Sequence, residues 1–208
     1  MNALILVDIQ NDFMPGGALA VTEGEQVVPI ANRLMSHFDL VVATQDWHPA
    51  DHQSFASQHE GQKIGDVIDV HGMTQVLWPD HCVQETLGAA FYPGLNTDRI
   101  HRVFQKGIDP RVDSYSGFFD NGHRQATGLA EFLENSGVND VAVMGLATDY
   151  CVKFTAIDAV KLNLNTYVVA DGCRGVDQSA GDVSRAVDEM RMAGAQVVTS
   201  DHFNHQQT

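Results

Sequence analysis

The sequence is poor in the features that mark several large classes of protein. Cysteine occurs only three times, at Cys82, Cys151 and Cys173. An odd count this low does not make a disulfide scaffold, and it points to a reducing, cytoplasmic setting. Basic residues are scarce as well, with 12 Lys and Arg against 27 Asp and Glu and a formal net charge of −15. A nucleic-acid binder needs a basic footprint that this chain lacks, and an anionic membrane or a polyanionic substrate would be repelled. A neutral or cationic small molecule suits the chain better. Long apolar runs are missing too: Ala3–Val7 ends at Asp8, too short for a secretory segment, and nothing approaches the ~18 apolar residues of a membrane span. No repeat, linker or low-complexity tract interrupts the sequence. Against these absences, 44% hydrophobic and 19% charged residues over 208 positions supply the core of one domain, expected to span residues 1–208.

Six short apolar runs read as buried parallel strands: Ala3–Val7, Leu40–Thr44, Ile100–Gln105, Val141–Gly145, Tyr167–Ala170 and Gln196–Thr199. Several lack clean alternation, as expected where a sheet is covered on both faces. Helical spacing fills the gaps at about Gly24–His37, Arg124–Ser136, Asp149–Leu162 and Ser179–Met192, with Gly137 and Gly194 placed as C-terminal caps. Alternation of this kind predicts an α/β fold: an open six-stranded parallel sheet with helices on both faces, a Rossmann-like three-layer sandwich with right-handed crossovers. Six strands are too few for an eight-fold barrel. The stretch Asp46–Thr97 exceeds ordinary loop lengths, and insertions of that size are usually functional.

Ligands of open α/β sheets sit beyond the carboxyl ends of the strands. Reading outward from those ends, the first strand delivers Asp8, the second Asp46 and His48, the third Lys106, and the fourth leads to Cys151. Most cysteines are small buried hydrophobes, a reading that suffices for Cys82 and Cys173. Cys151 differs because it opens a predicted helix, where the helix dipole and a neighbour such as Lys106 favour the thiolate. The expectation is a pKa lowered from ~8.5 into the ~3.5–7.5 range of activated thiols. Asp8 is placed to take the thiol proton and return it to a leaving amine. Asp46-Trp47-His48 points two donors to one side of an extended segment, and His81 completes an Asp/His/His set suited to Zn²⁺, Fe²⁺ or Mn²⁺. Five of the ten histidines fall between His48 and His81, so His52, His59 and His71 compete as ligands. Phe13, Trp78 and Tyr115 lie near these positions and could enclose a flat ring.

The segment Gly145-Leu-Ala-Thr-Asp-Tyr-Cys-Val152 resembles the nucleophile segment of the nicotinamidases, within the isochorismatase-like hydrolase family. Leu6-Val-Asp-Ile-Gln-Asn-Asp-Phe13 is similar to that family's first strand. Thr44-Gln-Asp-Trp-His-Pro49 and Trp78-Pro-Asp-His-Cys-Val83 resemble its two metal-binding segments, and Lys106-Gly107 with Asp113-Ser-Tyr-Ser-Gly-Phe118 its lysine strand and the following loop. All of them in this order make a specific match over nearly the whole chain.

The resemblance implies a triad of Asp8, Lys106 and Cys151. It further implies metal ligands Asp46, His48 and His81, with His52 an additional ligand in some members only, and a metal-binding insertion at about residues 46–97. The ion implied is one divalent metal, Zn²⁺ first, with Fe²⁺ or Mn²⁺ as alternatives. Phe13, Trp78 and Tyr115 correspond to substrate-binding aromatics, the backbone N–H groups of Ala147 and Cys151 to an oxyanion hole, and Leu146–Ala147 to a cis peptide. The implied reaction is hydrolysis of nicotinamide to nicotinate and ammonia through a thioester, in NAD salvage, with pyrazinamide as a further substrate. Monomer and homo-oligomer both remain open. So do two rivals: an amidase of the same family acting on a carbamoyl or ureido compound, and a non-catalytic ligand-binding relative. A thiol redox role has no C-x-x-C motif to support it.

Overall fold

The apolar run Ala3–Val7 has no exposed surface at any of its five residues. A strand so completely covered belongs in the middle of a sheet with both faces packed. The computed structural model, which describes residues 1–205, places it there. β1 (Asn2–Val7) pairs in parallel with β2 (Leu40–Asp46) on one side and β6 (Asp140–Leu146) on the other. The order across the sheet is β5-β2-β1-β6-β7-β8, with β5 at Arg102–Lys106, β7 at Asn165–Arg174 and β8 at Gln196–Val198. Every pairing in it is parallel.

The helices are α1 (Val27–Leu34), α2 (Leu129–Asn135), α3 (Lys153–Lys161) and α4 (Asp182–Ala193). The chain steps one way from β1 to β2 and the other way from β6 through β7 to β8. Right-handed crossovers therefore put α1 on one face and α3 and α4 on the opposite face. The order reverses between β1 and β6, so their carboxyl ends diverge and leave a crevice at the switch point. Gly145 makes the close pairing there possible. It faces Val7 in the register at φ 127°, and a Cβ would run into the Val7 backbone.

The six strands and four helices lie where the periodicity predicts them, and the departures have local causes. α2 starts at Leu129 rather than near Arg124, because Phe119 and Ala126 pair across an antiparallel bridge and Gly128 turns the chain at φ 90°. β7 continues past Ala170 through Asp171 and Gly172, which break the apolar run. Asp171 is satisfied within the fold by the Ser200 N–H and hydroxyl, at 2.7 and 2.6 Å, and a register shift between Val143 and Gly145 accommodates the extra length. The long stretch after Asp46 is not wholly irregular: β3 (Val67–Val70) and β4 (Met73–Val76) form an antiparallel hairpin. Its turn residues His71 and Gly72 both have positive φ, 54° and 83°, the signature of a tight two-residue hairpin.

Candidate active site

Four segments meet at the switch point. β1 ends and the chain turns sharply at Asp8, whose φ is 49°. β2 carries Asp46 as its last residue, β5 carries Lys106, and the wide helical turn Thr148–Val152 after β6 carries Cys151. The Lys106 side chain is wholly buried, and its ammonium is saturated with partners. It lies 2.9 Å from Asp8 Oδ2 and 2.5 Å from Asp46 Oδ1, donates to the Ser114 carbonyl at 2.8 Å, and reaches Cys151 Sγ at 3.4 Å. Thr44 Oγ1 donates to the other Asp8 oxygen at 2.7 Å. One cation between two carboxylates offsets a desolvation cost that neither charge could bear alone.

The electrostatics follow from this burial. Desolvation alone would discharge Lys106, but Asp46 and then Asp8 reverse it and hold the lysine firmly protonated. For Asp46, burial opposes ionisation, yet Lys106 and His48 overcome it and keep this carboxyl well below the usual range. Asp8 goes the other way: burial lifts its pKa more than Lys106 lowers it, with Asp46 adding to the rise. The Cys151 thiol is also raised well above its ordinary value, by burial against the pull of Lys106, with Asp8 and Asp46 pushing further up. The expected resting thiolate is therefore corrected. A helix start and one lysine do not prevail over near-complete burial beside two carboxylates, which favours a thiol next to a carboxyl of raised basicity.

Beside this charged cluster stand Asp46, His48 and His81, all buried. His48 Nδ1 lies 2.9 Å from the Gly107 carbonyl and His81 Nδ1 lies 2.8 Å from the Pro79 carbonyl. A carbonyl only accepts, so both rings carry a hydrogen on Nδ1 and their neutral forms present a bare Nε2. Burial favours that neutral form at His81, whereas at His48 burial is outweighed by Asp46, which raises its pKa. Those Nε2 atoms sit 3.7 and 3.9 Å from Asp46 Oδ2, too far for hydrogen bonds and suitably spaced for three ligands of one ion. Gly107, at φ 64°, is required by this arrangement, since a Cβ there would collide with the His48 ring. The residues present thus fit a divalent cation of the Zn²⁺, Fe²⁺ or Mn²⁺ kind.

His52 is set differently. Its Nδ1 lies 2.7 Å from Ser54 Oγ and 3.2 Å from the Ser54 amide nitrogen, and its Nε2 is buried without a partner. Its ring lies 4.3 Å from that of His48. With His48 and Asp113, His52 forms a second group whose ligand atoms lie within 4.8 Å of one another. His59 is engaged elsewhere, at 2.8 Å from the Gln53 carbonyl, and His71 is exposed in the β3–β4 turn.

A small cleft opens over both clusters. Phe13, Trp78 and Tyr115 line it together, beside Ala147 and Cys151. The Phe13 ring meets His81 edge-on with centroids 5.7 Å apart. Trp78 Nε1 donates to the Tyr115 hydroxyl at 3.3 Å, locking two walls together. The Leu146–Ala147 peptide is cis.

Sequence reasoning missed several residues of this cleft. Leu19, Asp113, Tyr150 and Val176 also line it. Tyr150 stands beside Cys151 in sequence and Asp113 lies in a segment already singled out, so both could have been found. Leu19 and Val176 carry no such signal. Thr44 was likewise within reach, two residues before Asp46.

The family model described as "Isochorismatase domain" matches residues 2–202. Among curated proteins, a nicotinamidase of Escherichia coli (strain K12) is 52% identical over 201 residues, covering 95% of this chain and 94% of the relative. Among solved structures, an Acinetobacter baumanii nicotinamidase and pyrazinamidase superposes with a TM-score of 0.94 at 42% identity, covering 97% of each chain. A Pyrococcus horikoshii pyrazinamidase in complex with zinc superposes with a TM-score of 0.77 at 38% identity, covering 95% of this chain and 98% of that one. With a match running from the first strand to the last helical turn and taking in every segment that meets at the switch point, the chain belongs to the isochorismatase family.

Proposed function

We propose that this protein is a nicotinamidase, a cysteine amidohydrolase that converts nicotinamide and water to nicotinate and ammonia and also accepts pyrazinamide. One observation carries the reading. Lys106 Nζ bridges Asp8 and Asp46 and touches Cys151 Sγ, directly beside two histidines whose Nε2 atoms face a shared carboxylate oxygen. The kinship with nicotinamidases, at 52% identity in one case, supplies the substrate. A carbamoyl or ureido substrate has no comparable use for the His48 and His81 pair.

In this reading Phe13, Trp78 and Tyr115 enclose the pyridine ring and direct its carboxamide at Cys151. Asp8 takes the thiol proton as sulfur attacks the amide carbon, a transfer favoured by the raised pKa of this carboxyl. The tetrahedral oxyanion is received by the N–H groups of Ala147 and Cys151, where one such donor is worth ~3 kcal/mol in other enzymes. Asp8 then returns the proton to the departing ammonia, leaving a thioester on Cys151 that water hydrolyses. Lys106 stays protonated throughout and keeps both carboxylates in place. Asp46, His48 and His81 would hold the divalent ion, with His52 beside them as a candidate further ligand. That ion supplies a Lewis acid that orients and polarises the ring. The described residues contain no helix long and apolar enough to cross a membrane.

The test is ammonia release from nicotinamide by purified protein, before and after chelation and with Zn²⁺, Fe²⁺ or Mn²⁺ restored. Turnover that follows the metal supports the reading. Folded protein that is silent with every ion rejects nicotinamide as substrate. Benzamide, which lacks the ring nitrogen, should be turned over poorly, and efficient hydrolysis of it would remove the role given to the ion.

A further inference from the structure

The turn after β1 holds more than Asp8. Gln10 has no exposed surface, and its side-chain amide is fully used. Its Oε1 accepts the Asp46 N–H at 2.8 Å, while its Nε2 donates to the Asp46 carbonyl and the Ala89 carbonyl, each at 2.8 Å. Asp46 is the last residue of β2. On one side it still has a strand neighbour, Lys106, but the β1 pairing has already ended at Leu6–Ala43 and the chain has turned away at Asp8. The Gln10 amide takes the place of the missing peptide group and pins both backbone polar groups of Asp46. Two residues on, Asp12 Oδ2 accepts the N–H of Cys82, directly after His81, at 2.7 Å. The Cys82 carbonyl in turn accepts the His48 N–H at 3.0 Å. Neither Gln10 nor Asp12 lines the cleft.

We infer that Gln10 and Asp12 are positioning residues with divided tasks: Gln10 aims the shared Asp46 carboxylate at both the Lys106–Cys151 cluster and the metal ligands, whereas Asp12 sets only the His81 and His48 segments. The division follows from what each reaches. Asp46 gives Oδ1 to Lys106 and turns Oδ2 toward the two histidines, so a shift of its backbone misaims both oxygens. Asp12 makes no hydrogen bond or ion pair with Lys106, Asp8 or Cys151; its second oxygen accepts the Ala18 N–H at 3.3 Å. The ion-binding half of this inference rests on the metal site proposed above, and the Cys151 half does not.

The experiment reads the two halves separately in the full chain, without using nicotinamide turnover. Zn²⁺ affinity is measured by competition with a chromogenic chelator, and the reactivity of Cys151 by the rate of iodoacetamide alkylation in chelated protein, followed by mass spectrometry. Gln10→Met should weaken Zn²⁺ binding ~10-fold or more, the size usual for groups that orient metal ligands, and change the alkylation rate several-fold. Asp12→Ala should weaken Zn²⁺ binding to a similar degree and leave alkylation near the wild-type rate, with Asp12→Asn restoring much of the affinity. A purely structural role would lower the melting temperature of both variants and leave both readouts of the folded fraction unmoved, which overturns the inference. Asp12→Ala altering alkylation as much as Gln10→Met overturns the division. Should Gln10→Met fail to fold, Gln10→Glu keeps the acceptor for the Asp46 N–H and loses both donors, and the same two readouts decide. Wild-type protein that takes up no Zn²⁺ rejects the metal half, while the alkylation arm still decides the role of Gln10.

Discussion

The two halves of the site are built from similar residues yet stand in opposite electrostatic states. Around Lys106 the charges are closed among themselves: one ammonium meets two carboxylates, a carbonyl and a sulfur within 3.4 Å. Around His48 and His81 the donors face one another across 3.7 to 3.9 Å, with the Nε2 atoms turned inward. The first half is complete without help from outside the chain. The second is pre-arranged for a cation, and the carbonyls on Nδ1 show that the chain spends hydrogen bonds to keep it so. Asp46 belongs to both, one oxygen each, so a shift of its carboxylate disturbs both halves. Burial prevails at Cys151 and Asp8, raising both, whereas at Lys106 and Asp46 the charged neighbours prevail over it.

The comparison can be broken most decisively at the sulfur. Cys151→Ala should lower kcat by on the order of 10⁴-fold or more, as for other nucleophile deletions, with ligand binding and thermal unfolding little changed. Near-normal turnover would remove Cys151 as nucleophile. Next, Lys106→Met should cost about 3–5 kcal/mol of stability in denaturant unfolding, because it leaves Asp8 and Asp46 buried without their cation. A loss under ~1 kcal/mol would show that the closed half is not held by this ion group. His48→Ala should abolish retention of a stoichiometric metal, read by elemental analysis, while the chelated protein unfolds close to wild type. That contrast with Lys106→Met is what the two-state picture demands.

A pH titration sharpens the same contrast with a smaller effect. Burial, and then the nearby His48, lowers His52 and His81 from 6.5 to about 4. Between those values the unfolded chain binds more protons than the folded one, so stability is fully present above 6.5 and is lost as pH falls toward about 4. The melting temperature of chelated protein should therefore drop between about pH 7 and about pH 4.5, and His52→Asn should lessen that drop. An identical profile for the two proteins would contradict the burial argument. The smallest effect is expected at the mouth of the cleft, where Tyr150 donates to Gln178 Oε1 at 3.2 Å. Removing this exposed bond in Tyr150→Phe should change KM by less than about 5-fold and leave kcat alone, since such a bond contributes ~1 kcal/mol or less.

Much of this was legible in the sequence because it is written in local pattern. Apolar runs long enough for one crossing of a sheet, separated by helical spacing, placed six strands and four helices, and the residues just past four strand ends named Asp8, Asp46, Lys106 and Cys151. Illegible parts were of two kinds. The β3–β4 hairpin has strands of only four residues each, too short to show a clear period. Gln10 and Asp12 act through backbone groups of segments 36 and 70 residues away, and polar residues that bind distant backbone leave no periodicity.

The protonation of Cys151 is the sharpest case of a property the sequence could not decide. Its position at the start of a helix argued for a thiolate, and that local argument is sound as far as it goes. What the tertiary structure added is near-complete burial beside Asp8, Asp46 and Lys106. The linear chain determined which chemical groups are available at the strand ends. Folding determined their separations and the amount of water left around them, and it is water exclusion, which depends on every layer packed over the site, that sets which of those groups carries its charge.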